Sequence, residues 1–138
     1  MEGGNQMKNY KKKFVPLALA LLMCSTSAVP VFAGNKAYSF SLKTTTSTKG
    51  SGATKDDNER TAYLKVEKMS KNVKTHFRVK SSNGVEATYV QTVSQPSSSV
   101  HYMNYKSGRG PQGETYYLWA SLDQAQPSTV TIDGTWCP

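Results

Sequence analysis

The chain has 138 residues, a formal net charge of +8 and 37% hydrophobic residues. This length fits one domain by the usual size of protein domains. Outside residues 8–13 the basic residues do not form a block, whereas chains that bind nucleic acid more often show clustered basic residues beside exposed aromatic ones. Length and charge therefore argue against a multidomain protein and against a nucleic-acid partner.

Residues 1–33 have the three-part layout of a secretory signal peptide. Four lysines in residues 8–13 precede the apolar run FVPLALALLM, and the segment ends in VPVFA. We expect cleavage after Ala33, with Ala28 as the alternative site. The ten apolar residues fall short of the roughly 20 that cross a bilayer, so we expect no stable membrane insertion. The sequence thus predicts a secreted, extracellular protein made of residues 34–138.

Loss of this segment removes four lysines and one glutamate, which lowers the formal charge from +8 to +5. A modest positive charge outside a cell favours weak attraction to anionic wall polymers or lipid headgroups, and it also keeps a protein soluble. Many of the basic residues alternate with apolar ones between residues 64 and 81, so we expect them on one solvated, electrostatic sheet face. They are Lys65, Lys68, Lys71, Lys74, Arg78 and Lys80.

From Gly34 onward the sequence has the pattern of short strands separated by turn residues. The first strand, AYSFSLKT, alternates apolar and polar side chains. Residues 45–60 carry Gly, Asp and Asn and no large apolar residue, so we expect a long mobile loop there. The next two strands, TAYLKVEK and VKTHFRVK, are expected to form a hairpin with a turn at residues 70–72.

An Asn-Gly pair in residues 81–84 predicts a second hairpin turn. Four more strands follow, VEATYVQTV, SVHYMNYK, TYYLWASL and TVTIDGTW, and the glycine-rich turn SGRGPQGE precedes the third of these. The fold class predicted from about seven short strands is all-β, a small antiparallel β-sandwich after an N-terminal signal peptide. The predicted core residues are Tyr38, Phe40, Leu42, Leu64, Val66, Phe77, Val79, Leu118, Val130, Ile132 and Trp136.

The sequence lacks the common patterns of catalytic and metal-binding chains. A zinc site takes three or four closely spaced ligands, whereas His76 and His101 stand on separate predicted strands. No serine lies in a G-x-S-x-G frame, the acidic residues in 56–59 lack the calcium-loop spacing, and the other carboxylates are scattered singly. We therefore expect no enzymatic activity, no metal and no cofactor.

Five aromatic residues cluster around the glycine-rich turn: Tyr102, Tyr105, Tyr116, Tyr117 and Trp119. Strand alternation puts some of them on the outside, and exposed Tyr and Trp are typical of carbohydrate and protein contact surfaces. The alternative is that they pack the sheet faces and the ends of the sandwich. We take the five as candidate ligand-binding residues for a cell-wall polymer, a carbohydrate or a protein.

Removal of Cys24 with the signal peptide leaves Cys137 as the single cysteine of residues 34–138. A single cysteine in a secreted chain indicates intermolecular pairing or a reactive thiol, so a disulfide-linked homodimer through Cys137 is one interpretation. The alternative is a cysteine tolerated at a frayed terminus.

The order of the motifs AYSFSLK, TAYLKV, THFRV, GETYYLWAS and TVTIDGTW resembles small secreted proteins of Gram-positive bacteria grouped as a DUF2712-type domain of unknown function. The resemblance covers most of residues 34–138. It implies a β-sandwich and export and supplies no catalytic residues, and Cys137 departs from the family pattern. A looser similarity, in size and all-β build, is to lactococcin-type secreted bacteriocins.

These observations predict a secreted, non-enzymatic binding protein for a cell-surface or extracellular ligand, either a wall glycan or a protein. The alternative is a bacteriocin-like toxin that acts on the envelope of competing bacteria, where basic and aromatic residues would engage lipid headgroups. A hydrolase is the third reading.

Overall fold

The computed structural model describes residues 34–138, and every regular element in that range is a β-strand. The predicted signal peptide, residues 1–33, lies outside the described residues. Residues 34–138 contain no helix that could span a bilayer. The strands are β1 (Lys36–Leu42), β2 (Thr48–Thr54), β3 (Thr61–Met69), β4 (Thr75–Ser81), β5 (Gln91–Val93), β6 (His101–Asn104), β7 (Thr115–Leu122) and β8 (Val130–Cys137).

The strands form two four-stranded sheets, which we name the first sheet (β1-β8-β3-β6) and the second sheet (β2-β7-β4-β5). All neighbouring strands are antiparallel. The chain changes sheet at every connection except that between β4 and β5, and this order is that of an eight-stranded jelly roll. The predicted all-β, antiparallel fold is confirmed, with eight strands in place of about seven.

The core lies between the two sheets, where the inward residues of each strand meet. Alternation identified them correctly because a strand sends successive side chains to opposite faces. All of the predicted core residues are buried, with exposed fractions of 5% or less. Two polar atoms in this core have partners, since Tyr38 donates to the backbone oxygen of Lys65 and Trp136 Nε1 donates to Ser51, each at 2.9 Å.

The long loop predicted for residues 45–60 is wrong, because β2 occupies the middle of that segment. This strand has almost no apolar residues for a physical reason. A Cβ atom on Gly50 would lie 2.5 Å from the ring of Phe40, and one on Gly52 would lie 2.6 Å from the ring of Tyr117. The ring of Phe40 from the facing sheet fills the space on the core side of β2, and the ring of Tyr117 from the adjacent strand β7 fills the space on its outer side. The strand therefore requires glycine where alternation would place a side chain.

The hairpin predicted at residues 70–72 is also wrong, because β3 belongs to the first sheet and β4 to the second. The connection crosses between the layers and is fixed to β8, where Ser70 donates to the backbone oxygen of Thr131 at 2.9 Å. Lys65 therefore lies on the outside of the first sheet and Lys80 on the outside of the second. The single electrostatic face predicted for Lys65 to Lys80 does not exist.

The turn predicted at residues 81–84 is present, with Gly84 at φ 83° and its amide donating to the oxygen of Ser81 at 2.9 Å. The long strand predicted after it shortens to β5. The intervening residues form isolated bridges from Glu86 to Lys80 and from Thr88 to Tyr105. Because Tyr105 follows β6, these residues link the two sheets along one edge of the sandwich.

Candidate functional site

The five candidate aromatic residues do not form one surface. Tyr105 and Tyr116 are in the core, 5% and 1% exposed, with their ring centroids 5.7 Å apart. Tyr102 is 61% exposed on the outside of the first sheet. Tyr117 and Trp119 are half-buried on the outside of the second sheet. For Tyr105 and Tyr116 the interpretation as surface contacts is corrected, because their side chains point into the interior.

The outer face of the second sheet brings two of the predicted residues together with three cations. On β7 the apolar residues alternate inward, so Tyr117 and Trp119 point outward. The neighbouring strand β4 presents Arg78 and Lys80 on the same face, and β2 presents Lys49. We call these five residues the lysine–aromatic face.

The register of the three strands places each lysine diagonally over a ring. Lys49 is opposite Trp119, yet its Nζ lies 3.8 Å from the ring centroid of Tyr117. Lys80 is opposite Tyr117, yet its Nζ lies 4.3 Å from the ring of Trp119. Long side chains reach such diagonal neighbours, and a cation over an aromatic face is attracted by the ring quadrupole. Both rings are therefore flanked by ammonium groups in this structure.

One carboxylate, Glu86, is engaged at the edge of this face. Its oxygens accept hydrogen bonds from Lys106 at 2.9 Å and from Arg78 at 2.8 Å. The hydrogen bond from Lys106, together with that from Arg78, lowers the pKa of Glu86 against the opposing effect of burial. Within residues 34–138, neither Lys49 nor Lys80 has a carboxylate oxygen within 4.0 Å. The face therefore carries uncompensated positive charge.

An open groove adjoins the face at Tyr117, which belongs to both. Its volume is about 610 Å³. The turn after β4 forms one wall and the glycine-rich segment before β7 forms the other. The lining residues are Ser81, Ser82, Asn83, Arg109, Glu114, Thr115 and Tyr117. A ring beside amide, guanidinium, carboxylate and hydroxyl groups can offer both stacking and hydrogen bonds to a polar ligand.

The glycine-rich segment is held in place by the buried ring of Tyr105 and by the exposed side chain of Arg60, which the sequence analysis did not identify. Gly110 adopts φ 78° and lies against the ring of Tyr105, which leaves no space for a Cβ. Arg60 donates to the backbone oxygens of Lys106 and Arg109 at 2.9 and 2.5 Å. Tyr105 thus supports the groove wall from inside the core instead of contacting a ligand.

Lys55 supports the same wall of the groove. Its charged side chain is buried within the described part of the chain. Its Nζ pairs with Asp57 at 2.5 Å and lies 5.2 Å from the ring of Tyr105. Its backbone amide donates to Glu114 and its carbonyl accepts from Gly113. A lysine in a polar segment carries no sequence signal for burial, so nothing in the pattern identified this role.

A second polar cluster lies at the start of β4. His76 Nδ1 is 2.8 Å from Thr92 Oγ1, and His76 Nε2 is 2.9 Å from Asp123 Oδ1. A hydroxyl, an imidazole and a carboxylate in a row are the components of a nucleophilic triad, but none of the three residues lines the groove. The sequence did not show this cluster, because it depends on the pairing of β4 with β5 and on the position of the residue after β7.

The described residues contain no group of three or more His, Cys, Asp or Glu side chains placed to hold a metal ion. Cys137 ends β8, paired in register with Tyr63, and is 5% exposed. Burial raises the pKa of its thiol, which disfavours the reactive thiolate. An intermolecular disulfide would require the end of β8 to move outward, so the disulfide-linked homodimer stays a prediction.

Comparisons with protein-family models, with curated proteins and with solved structures find no match to this chain.

Proposed function

We propose that this protein is an exported, non-enzymatic β-sandwich that binds a wall glycan at the cell surface. The observation that carries the proposal is the lysine–aromatic face, where Tyr117 and Trp119 point outward from a rigid sheet beside a polar groove. Sites on strands hold side chains in fixed geometry, which lowers the entropy that binding must overcome.

The chemistry of the groove favours a glycan over a protein partner. Beside the ring of Tyr117 lie Asn83, Arg109 and Glu114, which supply hydrogen-bond donors and acceptors for sugar hydroxyls. The large apolar side chains that the described residues expose lie off the groove, at Val85, Tyr89, Val90 and Tyr102. A protein interface would place more apolar area at its centre.

Export is part of the proposal and rests on the signal-peptide pattern in residues 1–33. The resemblance to the DUF2712-type small secreted proteins agrees with export and with an absence of catalytic chemistry, and it stays a prediction. Cleavage after Ala33 can be read directly from the amino terminus of protein purified from the culture medium.

Co-sedimentation of the purified protein with insoluble cell-wall glycan tests the binding proposal. The double variant Tyr117→Ala/Trp119→Ala is expected to lose retention by about 30-fold, since stacking on each of the two rings contributes on the order of 1 kcal/mol. The matched control is Tyr63→Ala/Tyr102→Ala, which removes an aromatic pair, 5.4 Å between centroids, from the outside of the first sheet. The proposal would be contradicted if both variants were retained as well as the parent protein, or if both lost retention to the same extent.

The same protein added to cultures of neighbouring bacteria tests the toxin alternative. The lysines and rings of the lysine–aromatic face are also the residue types that engage lipid headgroups. Growth inhibition together with unchanged wall binding in Tyr117→Ala/Trp119→Ala would favour a bacteriocin-like toxin. Wall binding without inhibition is the result that we expect.

A further inference from the structure

We infer, on the basis of the proposed function, that the ligand of the lysine–aromatic face is a polyanionic glycan, meaning a sugar or polyol polymer with repeated phosphate or carboxylate groups. The proposed function alone would be satisfied by a neutral wall glycan. Four features of the face distinguish the two ligand classes.

The first feature is uncompensated charge. Lys49 and Lys80 have no carboxylate within 4.0 Å among residues 34–138, and the nearby Glu86 is already shared by two cations. On the outside of the first sheet, by contrast, Lys65 lies 3.7 Å from Glu67. Because like charges concentrated on one face attract multivalent anions, the second sheet is the surface suited to a negatively charged chain.

The second feature is that ammonium groups cover the rings. The Nζ atoms of Lys49 and Lys80 lie 3.8 and 4.3 Å from the centroids of Tyr117 and Trp119. A neutral sugar must displace an ammonium group before it can stack, and it offers that group no new partner of opposite charge. An anionic group instead binds the ammonium and draws it off the ring, which leaves the ring face for the sugar.

The third feature is that the unsatisfied polar atoms at this place are donors. Trp119 Nε1 and Arg78 Nε are buried without an acceptor among the described residues, and the two residues are direct partners in the β4–β7 pairing. Tryptophan and arginine side chains donate and do not accept. A ligand that satisfies them once Lys80 moves must present acceptors there, and the oxygens of phosphate and carboxylate groups only accept, whereas each hydroxyl of a neutral sugar also carries a donor hydrogen.

The fourth feature is the extent of the positive charge. Tyr117 links the face to the groove, which Arg109 lines together with Glu114, whose carboxylate accepts a hydrogen bond from Tyr116. Cations thus occur along a track and not around one pocket, which fits a polymer with several charges better than a single small anion. Lysine contributes a point charge that suits phosphate, and Arg109 adds a planar group that can bind carboxylate or phosphate with two hydrogen bonds.

Binding measurements with matched polymers test the inference. Polygalacturonate and its fully methyl-esterified form share one backbone and differ in charge, and poly(glycerol phosphate) supplies the phosphate arm. We expect the protein to bind both anionic polymers and to bind the ester about tenfold more weakly, because two exposed ion pairs that each contribute about threefold give about that factor together. Lys49→Gln/Lys80→Gln should lose about tenfold for the anionic polymers, whereas Lys65→Gln/Lys68→Gln on β3 should change affinity by less than about twofold.

The outcomes separate this inference from the proposed function. Equal affinity for polygalacturonate and its ester would overturn the inference and leave glycan binding intact. Binding to no glycan, charged or neutral, would overturn both. Equal or tighter binding to duplex DNA or to vesicles of anionic lipid would show unselective charge attraction and would overturn the inference. Circular dichroism of each variant checks that the fold is retained.

Discussion

The two outer faces of the sandwich share one backbone pattern and carry different chemistry. The first sheet exposes short hydroxyl side chains, the aromatic pair Tyr63 and Tyr102 at one edge, and a paired Lys65 and Glu67. These hydroxyl residues are Ser39, Ser41, Thr131 and Thr135. The second sheet exposes long cationic and aromatic side chains that contact each other across three strands. Alternation fixes which residues face outward on both sheets, so the contrast between the faces lies in which outward residue types the sequence supplies.

The largest expected effect comes from two glycines, one serving each sheet. A Cβ on Gly134 would collide with the backbone oxygen of Lys65 and with the ring of Tyr38 inside the first sheet. Because a strand backbone cannot yield as a side chain does, Gly134→Ala should lower the free energy of unfolding by about 3 kcal/mol. Gly52→Ala meets the flexible ring of Tyr117 and should cost about 1 kcal/mol.

Urea unfolding measures both changes, and the glycan assay separates them. The folded fraction of Gly134→Ala should bind like the parent protein, whereas Gly52→Ala should bind several-fold more weakly because it displaces the ring of Tyr117. A similar loss of affinity in both variants would indicate that binding does not depend on the lysine–aromatic face.

The next largest effect is expected when the charge of the lysine–aromatic face is changed. Reversal of both lysines, Lys49→Glu/Lys80→Glu, places carboxylates over the two rings, and we expect affinity for an anionic glycan to fall by about 100-fold, since like-charge contacts cost several kcal/mol. The control Lys65→Glu/Lys68→Glu makes the same change in net charge on the first sheet. It should weaken binding by no more than a few-fold, through the long-range field alone. Equal losses would show that net charge, and not the face, drives binding.

A smaller effect is expected in fluorescence, because the two tryptophans lie in different places. Trp119 is on the lysine–aromatic face, whereas Trp136 is buried in the core and is 1% exposed. Iodide should quench Trp119 in the absence of ligand, and bound glycan should protect it. In Trp119→Phe the remaining emission should respond to neither quencher nor ligand. A ligand-dependent change in that variant would place binding elsewhere.

The smallest effect concerns pH. Hydrogen bonds from Lys106 and Arg78 lower the pKa of Glu86 in the folded protein. A lowered folded-state pKa stabilises the protein above the unfolded value, about 4.3 for glutamate. This contribution disappears as the pH falls through the folded pKa.

Glu86→Gln should therefore flatten the acid side of the stability profile measured by thermal unfolding between pH 2 and 7. It should also tighten anionic glycan binding by a few-fold, because it adds net positive charge beside the face. An unchanged acid profile in Glu86→Gln would remove this residue from the account.

Much of the fold could be predicted because the alternation of apolar and polar residues along a strand shows which side chains face the core. Tyr38, Phe40 and Leu42 follow one another at a period of two and are all buried. No comparable sequence pattern shows which sheet a strand joins. The sequence therefore predicts that β3 and β4 pair in a hairpin, although they lie in different sheets. β2 was missed because rings from other strands replace its own side chains.

The candidate site was predicted in part for the same reason. Tyr117 and Trp119 stand at outward positions of a clearly alternating strand. Lys49 gave no signal, because its contact with Tyr117 depends on the register between β2 and β7, and that register contains a shift between Lys49 and Gly52. Alternation also separates Tyr105 from Tyr102, since Tyr105 faces the core two residues after the buried Met103 whereas Tyr102 points outward. Grouping the five aromatic residues by their closeness in sequence did not use this pattern.

A backbone amide NMR titration of the purified protein with poly(glycerol phosphate) tests the central claim most directly. If the outer face of the second sheet binds anionic glycan, the amides of β2, β4 and β7 and of the groove segments 81–84 and 108–114 should shift together with one dissociation constant, while β1 and β8 stay unchanged. Shifts concentrated on β1, β8 and β3, or no saturable shifts at all, would contradict the account.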